Sequence, residues 1–404
     1  MPQPHVVVAG AGPVGCVAAA VLAARNIRVT LLEAAPELPR ELRASTFHPA
    51  TLDLLDQYGV VNEMIGRGLV APRFAYRDRR EGVVAEFDLT TLADVSAHPF
   101  RLQCEQYKLC EIMLDRFASM AGVTVRFDAA VVEAADQGDA ATVRLASGET
   151  ISADAVVGAD GASSAVRKSL GLAFDGMTYE DRYLVVSTPF EMADHLDDLA
   201  YVNYISDSDE WLVLLRTLRL WRALFPVGEH ESDDEALSDE SAQRRLNGVV
   251  ARKKPYDVAH RTIYRVHQRV ADRFRVGRVL LMGDAAHINN PLGGMGMNGG
   301  IHDAVLLGGA LAAVLHGDIA EDRLDHHGEL RRTLAIDYVK RHTHNNAQSL
   351  AAHNPAARQR ALDALVATAA DPERSRAYML QTSMIGAVNS MSAELAEVTA
   401  VNPD

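Results

Sequence analysis

The chain opens with a short apolar run, VVVA at residues 6–9, that feeds a glycine-rich turn, GAGPVG. A run that short, bounded by glycine, predicts a buried strand. CVAAAVLAARN, rich in small residues, predicts a helix that can pack close to a sheet, and IRVTLLE predicts a second strand ending at Glu33. RFAYRD and VVAEFDL flank the turn-like RREG, which predicts a β-hairpin within residues 72–100. FRLQCEQYKLCEIMLDRFASMAG then predicts a helix. GVTVRF, VVEAAD, ATVRLAS and ETISA predict short strands joined by Gly/Asp turns, with a three-stranded meander among them. From 176 to 275, RYLVVSTPFE, LAYVNYIS, EWLVLLRTL and RALFPV predict an antiparallel sheet. An acidic loop (Glu229–Glu240), a helix near Glu240–Arg252 and a last strand, HRTIYRVHQRVA, follow. A strand from Val279 to Met282 runs into a second glycine-rich turn and a helix starting near Gly296 or Met297, with Asp303 at the head of a new helix. Beyond about Ala320 the pattern is helical, with one long helix through RRTLAIDYVKRHTHNNAQSLAAH.

Composition narrows the class. With 404 residues, 48% hydrophobic and 23% charged, the chain has material for two or three domains and a large core. A net charge of −14 disfavours nucleic acid or an anionic membrane surface as partner, though a local basic pocket could hold an anionic substrate. The three cysteines, Cys16, Cys104 and Cys110, are scattered without metal-type spacing and suggest a reducing compartment. The N-terminus lacks a basic stretch ahead of its apolar run, unlike a signal peptide. The longest apolar helix, expected around Ala304–Leu315, is too short to span a bilayer. A cytoplasmic location is the expectation. The acidic runs DSDE and ESDDEALSDE read as solvated loops. His342 and His344 lie two apart on a predicted helix and share no face, so they read as surface residues and no metal site is expected.

Three motifs carry chemistry. The first is Gly10, Gly12 and Gly15 between a strand and a helix, with Glu33 placed 18 positions beyond Gly15. That is a dinucleotide fingerprint: the pyrophosphate sits at the helix N-terminus and the carboxylate meets ribose hydroxyls. The second is Asp160-Gly161 after the apolar strand DAVVGA, with Ser164 and Arg167 following. Alone, such a pair is just a turn. The third is GDAAHINNPLGGMGMNGG, where Asp284 at a strand end is placed to hold a sugar-like hydroxyl and Pro291 stiffens the turn. Its glycines let the backbone approach a ligand, and the first helical turn presents N–H groups.

In this order the three motifs resemble those of class A flavoprotein aromatic hydroxylases, the para-hydroxybenzoate hydroxylase family. The resemblance covers roughly residues 5–345, the middle sheet matching by architecture more than by residue. It implies an α/β fold in which a Rossmann-type FAD-binding domain carries an inserted, mainly antiparallel β-sheet substrate domain and a helical C-terminal part. The boundaries expected are 1–70, 101–175 and 276–345 for the discontinuous FAD-binding domain, 71–100 and 176–275 for the substrate domain, and 346–404 for the C-terminal helices. Carried over, Gly10, Gly12, Gly15, Glu33, Arg43, Gln106, Asp160, Gly161, Asp284, Pro291, Gly294, Gly296, Met297 and Asn298 would contact FAD. Arg43 would reach the pyrophosphate as a guanidinium fork, whereas Arg40 reads as a surface charge. Gln106, with Leu109 in a Q-x-x-L, would reach the ribityl chain. An amphipathic helix is expected from about Pro49 to Tyr58.

The resemblance implies monooxygenation: NAD(P)H, bound transiently, reduces FAD, and a flavin hydroperoxide passes one oxygen atom to an electron-rich ring. Pro291 and Leu292 would roof a dry pocket that protects that intermediate. For the substrate side, Tyr204, Trp211 and Arg216 are candidates for stacking, packing and anion pairing, although aromatics on half-buried strands are more often core and arginines more often surface. His48 is a further candidate to approach the ring. The implied function is hydroxylation of a phenolic or N-heteroaromatic compound, an acid among the options. The alternatives are oxygenation of a larger polyketide or antibiotic-like product, and a flavin-binding protein without turnover. The expected partners are O2, a small aromatic substrate and, since related enzymes are often dimers, a second copy of the chain.

Overall fold

The computed structural model describes residues 3–40, 44–290, 292–338 and 355–399. The opening apolar run forms the strand His5–Ala9, buried along its whole length. Parallel neighbours flank it, Ala155–Gly158 on one side and Arg28–Leu32 on the other. Val279–Leu281 extends the sheet beyond Ala155–Gly158, and Val123–Arg126 extends it beyond Arg28–Leu32. Arg275–Val276 adds an antiparallel edge. These central strands are covered on both faces, which is why VVVA and VLL read as continuous apolar runs without alternation. The meander Val131–Asp136, Ala141–Leu145 and Thr150–Ala153 forms a separate three-stranded sheet.

The helix Pro13–Ala23 packs on a helix that runs unbroken from Met295 to His316. Asp303 therefore lies inside one helix, not at the head of a second. By length and composition this 22-residue helix could cross a membrane, longer than the Ala304–Leu315 expected, but 83% of its apolar window is buried inside the protein. It is apolar on every side because protein surrounds it on every side. Its glycines set how close its neighbours come. A Cβ on Gly300 would lie 2.6 Å from Val14 Cγ2 and 2.8 Å from the Gly283 backbone.

A second, eight-stranded sheet runs in the order His287–Ile288, His260–Ala271, Phe174–Thr188, Trp221–Val227, Leu212–Arg216, Val202–Ser206, Arg73–Asp78, Gly82–Asp88. Val202–Ser206 pairs in parallel with Arg73–Asp78, and every other adjacency is antiparallel. Strand parity gives the sheet two distinct faces. Phe74, Tyr76, Tyr204, Trp211 and Val213 share one face with Leu292 and Met295 of the glycine-rich loop. Leu212, Leu214, Trp221 and Phe225 share the other, packed with Ala242 and Leu246 of the helix Asp239–Val249.

Two expectations fail locally. The segment predicted as a helix from Phe100 starts as the strand Arg101–Gln103, and its helix begins only at Gln106. Pairing with Thr46–Phe47 and Leu69–Ala71, both distant in sequence, holds it extended. The acidic runs are not merely solvated. Glu231 and Glu210 pair with the buried Arg245, Asp233 pairs with Arg182, and Ser232 with Glu235 caps the short helix Asp233–Ala236. Of the long C-terminal helix expected, Asp322–Tyr338 is observed; His342 and His344 lie outside the described residues. Farther on, Pro355–Ala370 packs against the strand Gly82–Asp88, and Pro372–Thr382 packs against the turn Leu89–Leu92.

Overpacking the helix contact should be felt throughout this core. Gly300→Ala is expected to cost about 1–3 kcal/mol, against a smaller loss for Gly308→Ala, whose Cβ would meet only the Val21 side chain at 3.2 Å. Urea unfolding checks this; equal midpoints for the two variants would remove the close-approach argument.

Candidate functional site

The three motifs leave the C-terminal ends of three adjacent parallel strands. His5–Ala9 delivers the Gly10–Gly15 turn, Ala155–Gly158 delivers Asp160-Gly161, and Val279–Leu281 delivers Gly283-Asp284. Open α/β sheets bind their ligands at that edge. The first turn is close-packed behind and open in front. A Cβ on Gly15 would sit 1.8 Å from the Gly10 carbonyl oxygen, and one on Gly10, at φ +99°, 2.4 Å from the Ala159 carbonyl oxygen. In front of Gly12, Gly161 and Gly296 a Cβ would meet no atom within 4 Å. The helix after Gly12 has no side-chain cap, so its first N–H groups remain available to an anion.

The acidic groups are preset. Glu33 accepts from the Ala11 N–H at 2.9 Å and the Ala35 N–H at 3.0 Å, which holds its carboxylate over the glycine turn. Asp160 Oδ2 accepts from the Ala165 and Val166 N–H groups and so braces the DG turn, while its buried Oδ1 has no partner. Arg167 reinforces the same turn, donating to the Ala162 and Ala285 carbonyls with its guanidinium 3.7 Å from the Phe174 ring centroid. Asp284 is exposed at its strand end. Gln106 begins its helix, half-buried, with its N–H donating to the Ala44 carbonyl. Arg43 and Pro291 lie outside the described residues. The close-packed glycines, the open faces of the turns and the orphaned Asp160 oxygen fit the FAD that the motifs imply.

Asp303 ties these parts together. Its Oδ2 accepts from the Gly283 N–H at 3.0 Å and from His287 Nε2 at 2.7 Å; its Oδ1 accepts from Arg331 Nε at 2.6 Å. Burial by itself would raise its pKa, but Arg331 and His287 outweigh burial and hold the carboxyl well below the usual range. One residue earlier, His302 is fully buried and bonds Thr51 Oγ1 at 2.9 Å. Burial, helped by the Arg331 charge, pushes its pKa down to about 3.

Asn298 anchors the second glycine loop. Its Nδ2 donates to the carbonyls of Thr46 and Gly294, and its Oδ1 accepts from the His48 N–H. His48 Nε2 donates to the Gly293 carbonyl at 2.9 Å. His48 therefore clamps the loop backbone through its ring. Gly294, in the left-handed region at φ +68°, caps the helix that starts at Met295, a little earlier than expected. Gly296, half-buried Met297 and buried Asn298 form the first turns of that helix.

Beyond this loop lies the aromatic face of the second sheet. Tyr204 stacks on Tyr76 with centroids 5.0 Å apart, and Phe74 stacks on Phe87 at 5.1 Å. Tyr378, from the C-terminal helices, bonds Tyr76 hydroxyl to hydroxyl at 2.7 Å. Trp211 lies on the same face, edge-on to Tyr183. Arg216 does not join them. It follows Leu212 and Leu214 in parity, so it points to the opposite face, where it pairs with Glu191 at 2.9 Å and lies over Trp221. The buried arginine that does reach the aromatic face is Arg101, which sequence reasoning absorbed into a helix. It donates to Tyr204 Oη at 3.3 Å, with its guanidinium 4.2 Å from the Phe74 centroid. Alternation over RLQ was the signal that could have found it; nothing in the sequence pointed to Tyr378.

Comparison with known proteins agrees with this arrangement. A family described as FAD binding domain matches residues 3–342. Para-nitrophenol 4-monooxygenase from Pseudomonas sp. (strain WBC-3) is 34% identical over 347 residues, covering 83% of this chain and 84% of that protein. The 6-hydroxy-3-succinoylpyridine 3-monooxygenase HspB of Pseudomonas putida (strain DSM 28022 / S16) is 32% identical over 364 residues, covering 87% and 90%. Among solved structures, p-nitrophenol 4-monooxygenase PnpA from Pseudomonas putida DLL-E4 superposes with a TM-score of 0.88 at 29% identity, covering 94% of this chain and 98% of that one. The OxyS anhydrotetracycline hydroxylase of Streptomyces rimosus gives 0.76 at 26% identity, covering 94% and 75%.

The buried histidine makes a pH prediction. His302 titrates near 6.5 when unfolded and is held down to about 3 when folded, so between those values the unfolded state binds the extra proton. Its contribution is intact above pH 6.5 and is lost as pH falls, at up to about 1.4 kcal/mol per pH unit. Urea midpoints for wild type and His302→Gln at pH 7 and 5.5 should show a smaller pH effect in the variant; an equal effect would mean His302 is not a source of acid sensitivity.

Proposed function

Since the chain belongs to the FAD-binding-domain family of class A flavoprotein aromatic hydroxylases, and is an FAD monooxygenase using NAD(P)H and O2, we propose that it hydroxylates a small phenolic or N-heteroaromatic compound. The observation that carries the reading is the aromatic face of Phe74, Tyr76, Tyr204 and Trp211 packed with Leu292 and Met295 of the glycine loop. Likeness to the nitrophenol and succinoylpyridine monooxygenases supports the substrate class.

In this reading residues 71–100 and 176–275 form a substrate-binding sheet domain inserted into a discontinuous FAD-binding domain, and the C-terminal helices wall its aromatic side. Gly10, Gly12 and Gly15 would admit the pyrophosphate to the helix N-terminus, with Glu33 on the ribose, Asp284 on the ribityl chain, and Asp160 and Gly161 beside them. The chemistry FAD supplies when bound is hydride acceptance from NAD(P)H and activation of O2 for transfer of one oxygen atom to the ring. The helix from Met295, held by Asn298 and His48, would turn its positive end toward the flavin and stabilise negative charge there. Leu292, Met295 and Trp211 exclude water from the reacting space. Tyr204 packs the ring. A cytoplasmic location belongs to the same reading, supported by three buried cysteines that are free thiols.

Purified FAD-loaded protein should show NAD(P)H oxidation stimulated by one member of a panel of phenols and heteroaromatic acids, with little peroxide formed. Oxidation that no small ring stimulates would move the reading to a larger polycyclic substrate, which likeness to OxyS supports. Asp284→Ala is expected to lose most of its flavin on gel filtration; full occupancy would remove the ribityl contact.

A further inference from the structure

The aromatic face contains a buried positive charge without a counter-ion. Arg101 is 2% exposed. Its Nη1 donates to Tyr204 Oη, its Nε has no hydrogen-bond partner, and no carboxylate among the described residues pairs with it. Buried guanidinium groups are ordinarily matched by a carboxylate and saturated with acceptors, because an uncompensated buried charge costs several kcal/mol. In this protein Arg245 shows the ordinary case, with Glu210 and Glu231 around it at 2.7 Å each. Arg101 instead has the Tyr204 hydroxyl and the Phe74 ring face.

Tyr76 and Tyr378 do not supply the missing charge. Burial pushes the Tyr76 hydroxyl well above its usual value, and the neighbouring Tyr378 adds to the rise. Burial likewise pushes Tyr378 up to about 12. Both are neutral phenols at working pH, bonded to each other. Tyr204 meets Arg101 through its hydroxyl.

The strand bearing Arg101 is tied to the candidate flavin edge. Gln103 shares its face, accepts from Thr46 Oγ1 at 3.0 Å, and has a buried Nε2 without a partner. Thr46 in turn holds Asn298 of the glycine loop through its carbonyl. Two buried groups with donor capacity left over thus stand on one strand face between the aromatic cluster and that loop.

We propose that Arg101 is the specificity-determining anchor for an anionic oxygen on the aromatic substrate, received at Nε while the ring packs among Phe74, Tyr204 and Trp211. This rests on the hydroxylase reading and deepens it: the substrate enters charged, as a phenolate or a ring-borne carboxylate. Arg101, not Arg216, is the anion partner of the sheet.

The test is binding to the FAD-loaded protein, read from the flavin spectrum, with 4-nitrophenol, benzoate and nitrobenzene as probes. Arg101→Gln should weaken 4-nitrophenol or benzoate by about thirtyfold or more, as expected for a desolvated charge pair, and leave nitrobenzene nearly unchanged. Whichever acid suffers identifies the phenolate or the carboxylate as the source. Arg101→Lys, which keeps the charge, should recover much of the loss. Equal losses for all three probes, or none, would overturn the assignment. If the Gln variant does not fold, wild type decides. Its 4-nitrophenol affinity should rise with pH through the probe's own pKa, or its benzoate affinity should exceed that for nitrobenzene. Failure of both overturns it. Because the readout is binding, absence of stimulated NAD(P)H oxidation in wild type counts against the hydroxylase reading, whereas indifference to probe charge counts against Arg101.

Discussion

One buried carboxylate holds the site's separate pieces in register. Asp303, on the core helix, takes the Gly283 N–H, His287 and Arg331 at once, and so fixes the turn that presents Asp284, the short strand after it and the helix Asp322–Tyr338. A charge buried this deeply is tolerable only when its lone pairs are used and an opposite charge lies against it; Arg331 and the two further donors meet that condition. The close approach of helix and turn around it requires glycine at 283 and 300, where side chains would collide. Since the core helix also carries Gly294, Gly296 and Asn298 at its start, the same constraint sets where the second glycine loop stands relative to the first.

The second organising rule is strand parity. In the eight-stranded sheet a shift of one position moves a side chain from the face beside the glycine loop to the face beneath the helix Asp239–Val249. Trp211 and Arg216 are five positions apart on one strand segment and fall on opposite faces for that reason. Parity likewise makes Arg101 and Gln103 neighbours on one face of their short strand, while Leu102 between them is buried on the other side. Aromatic rings and buried donors then meet in one place: the rings offer packing, and Arg101 offers a charge without a carboxylate beside it.

The C-terminal helices show how a wall can be added to such a face. Tyr378 completes the aromatic cluster through Tyr76, and Arg376, paired with Asp94, fastens its helix beside the hairpin. Residues 355–399 lie beyond the matched family region, which ends at 342. They are not confined to the ring side: Met391 and Val398 are buried in the core around the helix Met295–His316, where Met391 Sδ accepts from Arg331 Nη1.

Much of the fold and of the nucleotide edge was legible in the sequence, because both rest on local chemistry. Gly10 and Gly15 between an apolar strand and a small-residue helix, Gly161 at φ +79°, and Gly283 at φ +60° are positions where backbone conformation or close approach demands glycine. Strand runs such as LVLL carry their pattern with them. The substrate side was not legible in the same way. Arg101 looked helical because FRLQCEQ continues smoothly into a true helix, and only the distant partners Thr46–Phe47 and Leu69–Ala71 hold it extended. Arg216 looked like the anion partner because residue type alone does not reveal which face a strand position takes. His48 became a loop clamp, and Asp303 the centre of a buried network, through partners about 245 and 28 residues away. Local turn chemistry was determined by the sequence by itself; which charges lost their counter-ions, and which faces met, was decided by long-range pairing that folds distant segments together.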